Sequence, residues 1–223
     1  MEKVRIWCGG EDALPTVYMH SVAGDGHCVW EACRRIGCPD FNMVSIYDFD
    51  FDGDLTPWPA QGVRKRQPPF KGNAKSHLAE MLDRIMPEAE DLLPAKSLYN
   101  ALAGYSLAGL FALWSVWQTD RFTRLACGSA SFWYPGFLEY AVSHPMVRQP
   151  DFVSLSLGDN ESDTRHPVMS QVGKCTDKVL ELLTERNIPY CFEINPGNHF
   201  TEPDLRLGKA ISRMLAGQNF IKD

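Results

Sequence analysis

The chain has 223 residues, of which 44% are hydrophobic and 22% charged, and it carries a formal net charge of -6. That balance belongs to a folded globular protein and excludes collagen-like or disordered chains. The negative charge argues against a broad nucleic-acid surface, because phosphate contacts need clustered cations. No stretch approaches the run of about 18 apolar residues that would suggest a membrane helix, and the opening MEKVRIWCGG lacks the apolar core of a signal peptide. The expectation is a cytoplasmic protein, one domain over 1–223, with no membrane or nucleic-acid partner. An odd count of seven cysteines argues against a disulfide framework. Cys28, Cys33 and Cys38 are spaced too widely for usual zinc-binding pairs. They are read as free thiols, mostly buried as small hydrophobes, and no metal is expected.

Apolar runs alternate with helical patterns along the whole chain, which is how a mostly parallel sheet with crossover helices is written. Residues 15–20 (PTVYMH) read as a buried strand, 21–26 (SVAGDG) as a glycine turn, and the stretch to about 36 as a helix. Residues 42–49 (NMVSIYDF) are a second strand. Residues 50–71 form a long irregular segment with four prolines, at 57, 59, 68 and 69, and long loops of this kind are often functional. Its basic run, Arg64-Lys65-Arg66, is read as a solvated loop rather than a phosphate site. Helical periodicity returns over 73–93, with Leu78, Met81, Leu82 and Ile85 on one face.

Residues 100–104 (NALAG) are a short strand, and 106–117 (SLAGLFALWSVW) form a helix so apolar that it must be buried. Strands follow at 124–129 and 151–157, a helix at 167–186, a last strand at 189–194, and a last helix at about 204–215.

The segment AGYSLAG at 103–109 lies between a strand and a buried helix, the context of a nucleophile elbow. A sharp turn there lifts the Ser106 hydroxyl above the sheet edge and aims the Leu107 N–H at a developing oxyanion. Small residues must flank the turn, and Gly104 and Ala108 supply them. A serine nucleophile needs a base. Of the histidines that follow, His144 falls near a helix before the acid-bearing strand and His166 lies too near the acid in sequence. His199 follows the last strand in a Pro-Gly loop, at the same sheet edge as the elbow. The acid belongs after the preceding strand, where Glu161 is preferred to Asp159 and then Asp163. A second oxyanion donor is expected in the turn after the early strand, from Val22 or, failing that, Ser21.

Four segments carry a family resemblance: YMHS at 18–21, DLTPWPA at 54–60, AGYSLAGL at 103–110 and NPGNHF at 195–200. Together they span nearly the whole chain. It resembles the esterase family of α/β-hydrolases related to enterobactin and other siderophore esterases and to S-formylglutathione hydrolase. Two departures are Ala108 where glycine is usual and Ser21 where many hydrolases have glycine. The resemblance implies an α/β-hydrolase fold, a mostly parallel central sheet with helices on both faces, and the chain is short for this fold, so no large lid domain is expected. It implies Ser106 as nucleophile, His199 as base and an acid after residue 157. The expected activity is carboxylic ester hydrolysis on a small-molecule ester through an acyl-enzyme, without a cofactor. A thioesterase or S-formylglutathione-type hydrolase would use the same residues, and a non-catalytic binding protein could share the fold. Tyr105, Trp58 and Trp133 are expected to contact substrate, and a homo-oligomer would be one way to cover an otherwise open site.

Overall fold

A computed structural model describes residues 3–63 and 66–217. In chain order the strands and helices are β1 (Lys3–Trp7), β2 (Thr16–His20), α1 (His27–Arg35), β3 (Asn42–Tyr47), α2 (Phe51–Asp54), α3 (Ala74–Glu80) and α4 (Met86–Glu90). There follow β4 (Asn100–Tyr105), α5 (Leu107–Trp114), β5 (Arg124–Gly128), α6 (Phe137–Ser143), β6 (Phe152–Gly158), α7 (Val172–Glu185), β7 (Tyr190–Asn195) and α8 (Pro203–Ala216). The seven strands make one sheet in the order β1-β3-β2-β4-β5-β6-β7, in which only β1 runs antiparallel to its neighbour.

The two-residue period of the central strands builds a core on each face. Tyr18, Leu102, Leu125 and Val153 point into one, against α3, α4, α5, α6 and α7. Val17, Met19, Ala101, Ala103 and Ala126 point into the other, against α1 and α8. Strands covered on both sides lose the apolar-polar alternation of a half-exposed sheet, which is why β2 and β6 are buried from end to end. All eight residues of α5 are buried. Each large apolar side chain so enclosed contributes about 1.5–3 kcal/mol.

The expected strands and long helices are present, with three differences. The strand β1 was not foreseen. The helix expected over 73–93 is α3 and α4 joined by a π-helical segment, Met81–Ile85, which leaves Leu82 half-buried while Leu78, Met81 and Ile85 are buried. The segment 50–71 is less irregular than expected, since α2 lies within it and Ala60 pairs with Phe70. All seven cysteines are free, but only Cys33 and Cys127 are buried and Cys8 and Cys28 are exposed, which corrects the expectation that most would be core residues. Arg64 and Lys65 lie outside the described residues.

Parallel strands all present their carboxyl ends at one edge of a sheet. The segments after β4, β6 and β7 meet there, and that edge carries the candidate site.

Candidate active site

β4 ends at Tyr105 and α5 begins at Leu107, so the whole turn falls on Ser106. Its backbone has φ 61° and ψ -122°, a strained conformation for a residue with a side chain. Strain of this kind costs about 1–3 kcal/mol and persists only where neighbours hold it. The holding bonds are Ser106 N–H to the Gly128 carbonyl at 3.0 Å and Ser131 N–H to the Ser106 carbonyl at 3.0 Å. The close crossing of strand and helix explains Gly104, where a Cβ would lie 2.3 Å from the carbonyl carbon and oxygen of Ala108. Gly104→Ala is expected to destabilise the fold by about 1–3 kcal/mol, read as a lower urea midpoint with an unchanged slope.

The Ser106 hydroxyl lies 3.1 Å from Nε2 of His199 and 3.2 Å from the Ser131 hydroxyl. Nδ1 of His199 lies 2.8 Å from Oε2 of Glu161. A carboxylate only accepts, so Nδ1 carries the proton and Nε2 is left to accept from Ser106. The other carboxylate oxygen of Glu161 accepts from the Ser129 hydroxyl at 2.6 Å, the Gly158 N–H at 2.8 Å and Nη1 of Arg206 at 3.2 Å. Burial pushes the Glu161 pKa up, but the hydrogen bonds from His199, Ser129 and Gly158 outweigh it and hold the carboxyl below its ordinary value. Glu161 is therefore an anion at neutral pH although its side chain is almost wholly enclosed.

The other two acids are placed elsewhere. Asp159 accepts from the Gly197 N–H at 2.8 Å and so braces the loop that carries His199, while Asp163 lines the cavity described below. The loops after β6 and β7 touch so closely that a Cβ on Gly158 would lie 2.4 Å from the Gly197 carbonyl oxygen.

Leu107 begins α5, and its N–H has no hydrogen-bond partner among the described residues. The Ser21 N–H is spent on the Ile46 carbonyl at 2.9 Å, which carries the sheet ladder one residue past β2 and removes the second choice for an oxyanion donor. The N–H of Val22 is unpaired among the described residues, but the residue is 62% exposed and does not line the cavity. Just before it, His20 is buried and its Nε2 lies 2.7 Å from Nε2 of His77 on α3. Burial, with His77 beside it, pushes the His20 pKa far down, so His20 is not a source of charge.

Ser106, Leu107, His199 and Trp133 all open on one cavity of about 740 Å³. Phe51, Phe70, Met169 and Phe200 give it further apolar wall, and Asp52, Gln67 and Asn160 add polar groups. Trp58 and Tyr105 do not line it, which corrects their expected place. The Trp58 indole N–H donates to the Pro135 carbonyl at 2.8 Å and its ring packs on Tyr134 and Tyr140. The Tyr105 hydroxyl donates to the His199 carbonyl at 2.9 Å and accepts from Arg206 at 3.3 Å, so it supports the histidine from behind. Arg206, Ser129 and Ser131 were not singled out from the sequence. No group of three or more His, Cys, Asp or Glu is arranged to hold a metal among the described residues, and no helix there is long and apolar enough to cross a membrane.

No protein-family model matches the chain. The protein YbbA of Bacillus subtilis (strain 168) is 22% identical over 165 residues, covering 71% of this chain and 66% of that protein, just under two thirds of its length. Among solved structures, the siderophore hydrolase EstA from Aspergillus nidulans superposes with a TM-score of 0.74 at 18% identity, over 94% of this chain and 88% of that one. An IroE-like serine hydrolase from Shewanella oneidensis superposes with a TM-score of 0.75 at 18% identity, over 96% of this chain and 76% of that one. At these identities the likeness is one of fold.

Proposed function

We propose that this chain, an α/β-hydrolase by fold, is a serine hydrolase that cleaves carboxylic esters. The observation that carries the reading is the unbroken relay from the strained Ser106 through His199 to a buried, anionic Glu161, at 3.1 Å and 2.8 Å. His199 takes the hydroxyl proton as Ser106 attacks the ester carbonyl. Charge on the carbonyl oxygen is met by the Leu107 N–H. Collapse expels the alcohol, which receives the proton from His199, and leaves an acyl-enzyme. Water, deprotonated by His199, then releases the acid and restores the serine. Glu161 holds the imidazole tautomer and stabilises the imidazolium. No step calls for a metal or cofactor.

The apolar wall of the cavity suits a substrate with an aromatic or bulky apolar part. Trp133→Ala is expected to raise KM for an aromatic ester about 3–10-fold, the loss of about 1 kcal/mol of ring contact, with kcat within about twofold. The test of the function is a hydrolysis screen of nitrophenyl esters of increasing acyl length, matched oxygen and sulfur esters, and siderophore-like esters. The last are included because the structural neighbour EstA is named a siderophore hydrolase. Turnover of oxygen esters supports the reading, preference for the sulfur esters makes the chain a thioesterase, and no turnover of any of them overturns it.

A further inference from the structure

On the face of the sheet covered by α1 and α8, the end of α1 holds two thiols together. The Cys38 N–H bonds the Cys33 carbonyl at 3.0 Å, the Gly37 N–H bonds the Arg34 carbonyl at 3.2 Å, and Gly37 has φ 69°. This is a Schellman closure, which lays the side chain beyond the helix end against one in its last turn, a place usually taken by an apolar pair. Here both members are cysteines. Cys33 is fully buried, with its thiol 3.9 Å from the Gly208 carbonyl of α8. Cys38 is half-buried and packs against the core cluster that contains Cys33. Ile36, at the end of α1, lines a smaller cavity of about 370 Å³ with Glu193, Lys209, Ser212 and Arg213. Cys38 is thus the less buried of the pair and Cys33 the enclosed one.

We propose that Cys33 and Cys38 are a redox pair that closes to a disulfide by exchange with a small-molecule disulfide. The Cys38 thiolate attacks one sulfur of R–S–S–R, forming a mixed disulfide and releasing one R–S⁻. Cys33 then gives up its proton to solvent and attacks the Cys38 sulfur, forming the Cys33–Cys38 bond and releasing the second R–S⁻. The protein loses two electrons and two protons, and the small disulfide becomes two thiols. The spatial order fits this sequence, with the less buried cysteine acting first and the enclosed one resolving. Acidity fits as well. The Cys33 thiol beside it, helped by Ser212 and Arg34 and opposed by burial and by Asp40, holds the Cys38 thiol below its ordinary value, while Cys38 and burial push Cys33 up. Burial pushes Cys8, Cys127, Cys175 and Cys191 up, making them poorer nucleophiles.

The test equilibrates the folded, full-length protein in glutathione buffers of rising oxidised fraction, blocks remaining thiols by alkylation and maps tryptic peptides by mass spectrometry. Trypsin cuts after Arg34 and Arg35, so the closed pair appears as a cross-link between two peptides, and fragmentation assigns it to Cys33 because Cys8 and Cys28 share that peptide. The expected result is that this cross-link forms at a more reducing poise than modification of any other cysteine and is reversed by dithiothreitol. Cys38→Ser should slow oxidation of Cys33 at least tenfold, and Cys33→Ala should leave glutathione attached at Cys38. Glutathione on Cys8 or Cys28 while Cys33 and Cys38 both remain alkylatable overturns the proposal, as does undiminished oxidation of Cys33 in Cys38→Ser. The wild-type map decides alone if Cys33→Ala, a change in the core, fails to fold.

Discussion

Ser106→Ala is expected to lower kcat for any ester the protein hydrolyses by about 10⁴–10⁶-fold, with KM changed little. The size follows from what the variant lacks. Without the hydroxyl there is no acyl-enzyme, and the remaining machinery can only orient water and offer the N–H of Leu107 to a developing oxyanion. The fold should survive, because the turn is held by backbone bonds to Gly128 and Ser131 rather than by the side chain. Stopped-time assays on purified wild type and variant, with matched urea unfolding curves, separate lost chemistry from lost structure. A variant within tenfold of wild type would mean that another group reacts.

The second large effect is expected at Glu161. Glu161→Gln is nearly isosteric, yet it turns an acceptor toward His199 into a possible N–H donor. The imidazole is then pushed to carry its proton on Nε2, where it cannot accept from Ser106. Loss of the tautomer and of the anion facing the imidazolium is expected to cost about 10³–10⁴-fold in kcat. The same substitution strips Arg206 of its enclosed counter-charge. Both side chains of that pair are nearly inaccessible, and breaking a buried pair from one side costs about 3–5 kcal/mol. A pH series tests the electrostatic origin. The Glu161 pKa is lower in the folded state than in the unfolded chain. Its contribution is therefore complete above the ordinary glutamate value of about 4.3 and is lost as pH falls through the depressed one. The gap in urea midpoint between wild type and Glu161→Gln should narrow below about pH 4. A gap that stays constant into acid would show that the carboxylate charge is not what the fold uses.

Much of this arrangement is legible along the chain, because the residues concerned announce themselves locally. A short strand, a serine between small residues and a wholly apolar helix specify the elbow at 103–109. A histidine behind Pro-Gly at the end of the last strand specifies where its partner must be. The supporting residues give no such signal. Arg206 sits in an ordinary amphipathic helix and meets Glu161 only because α8 folds back across the sheet, 45 residues away in sequence. Ser129 and Ser131 are two of many serines until β5 delivers them beside Glu161 and Ser106. Aromatic residues mislead for a related reason. Trp58 and Trp133 look equivalent as rings on loops near one edge, but the bond to Pro135 turns Trp58 into packing, and only Trp133 faces the cavity. β1 hides because KVRIW carries two cations in five residues and is only partly covered, as an edge strand can be.

The most direct measurement is active-site titration with a fluorophosphonate, followed by peptide mapping. The account predicts one adduct per chain, on Ser106, formed at least 10³-fold more slowly in His199→Ala because the hydroxyl then has no base. A folded protein that takes up no label at Ser106, or takes it up equally fast without the imidazole, would contradict it.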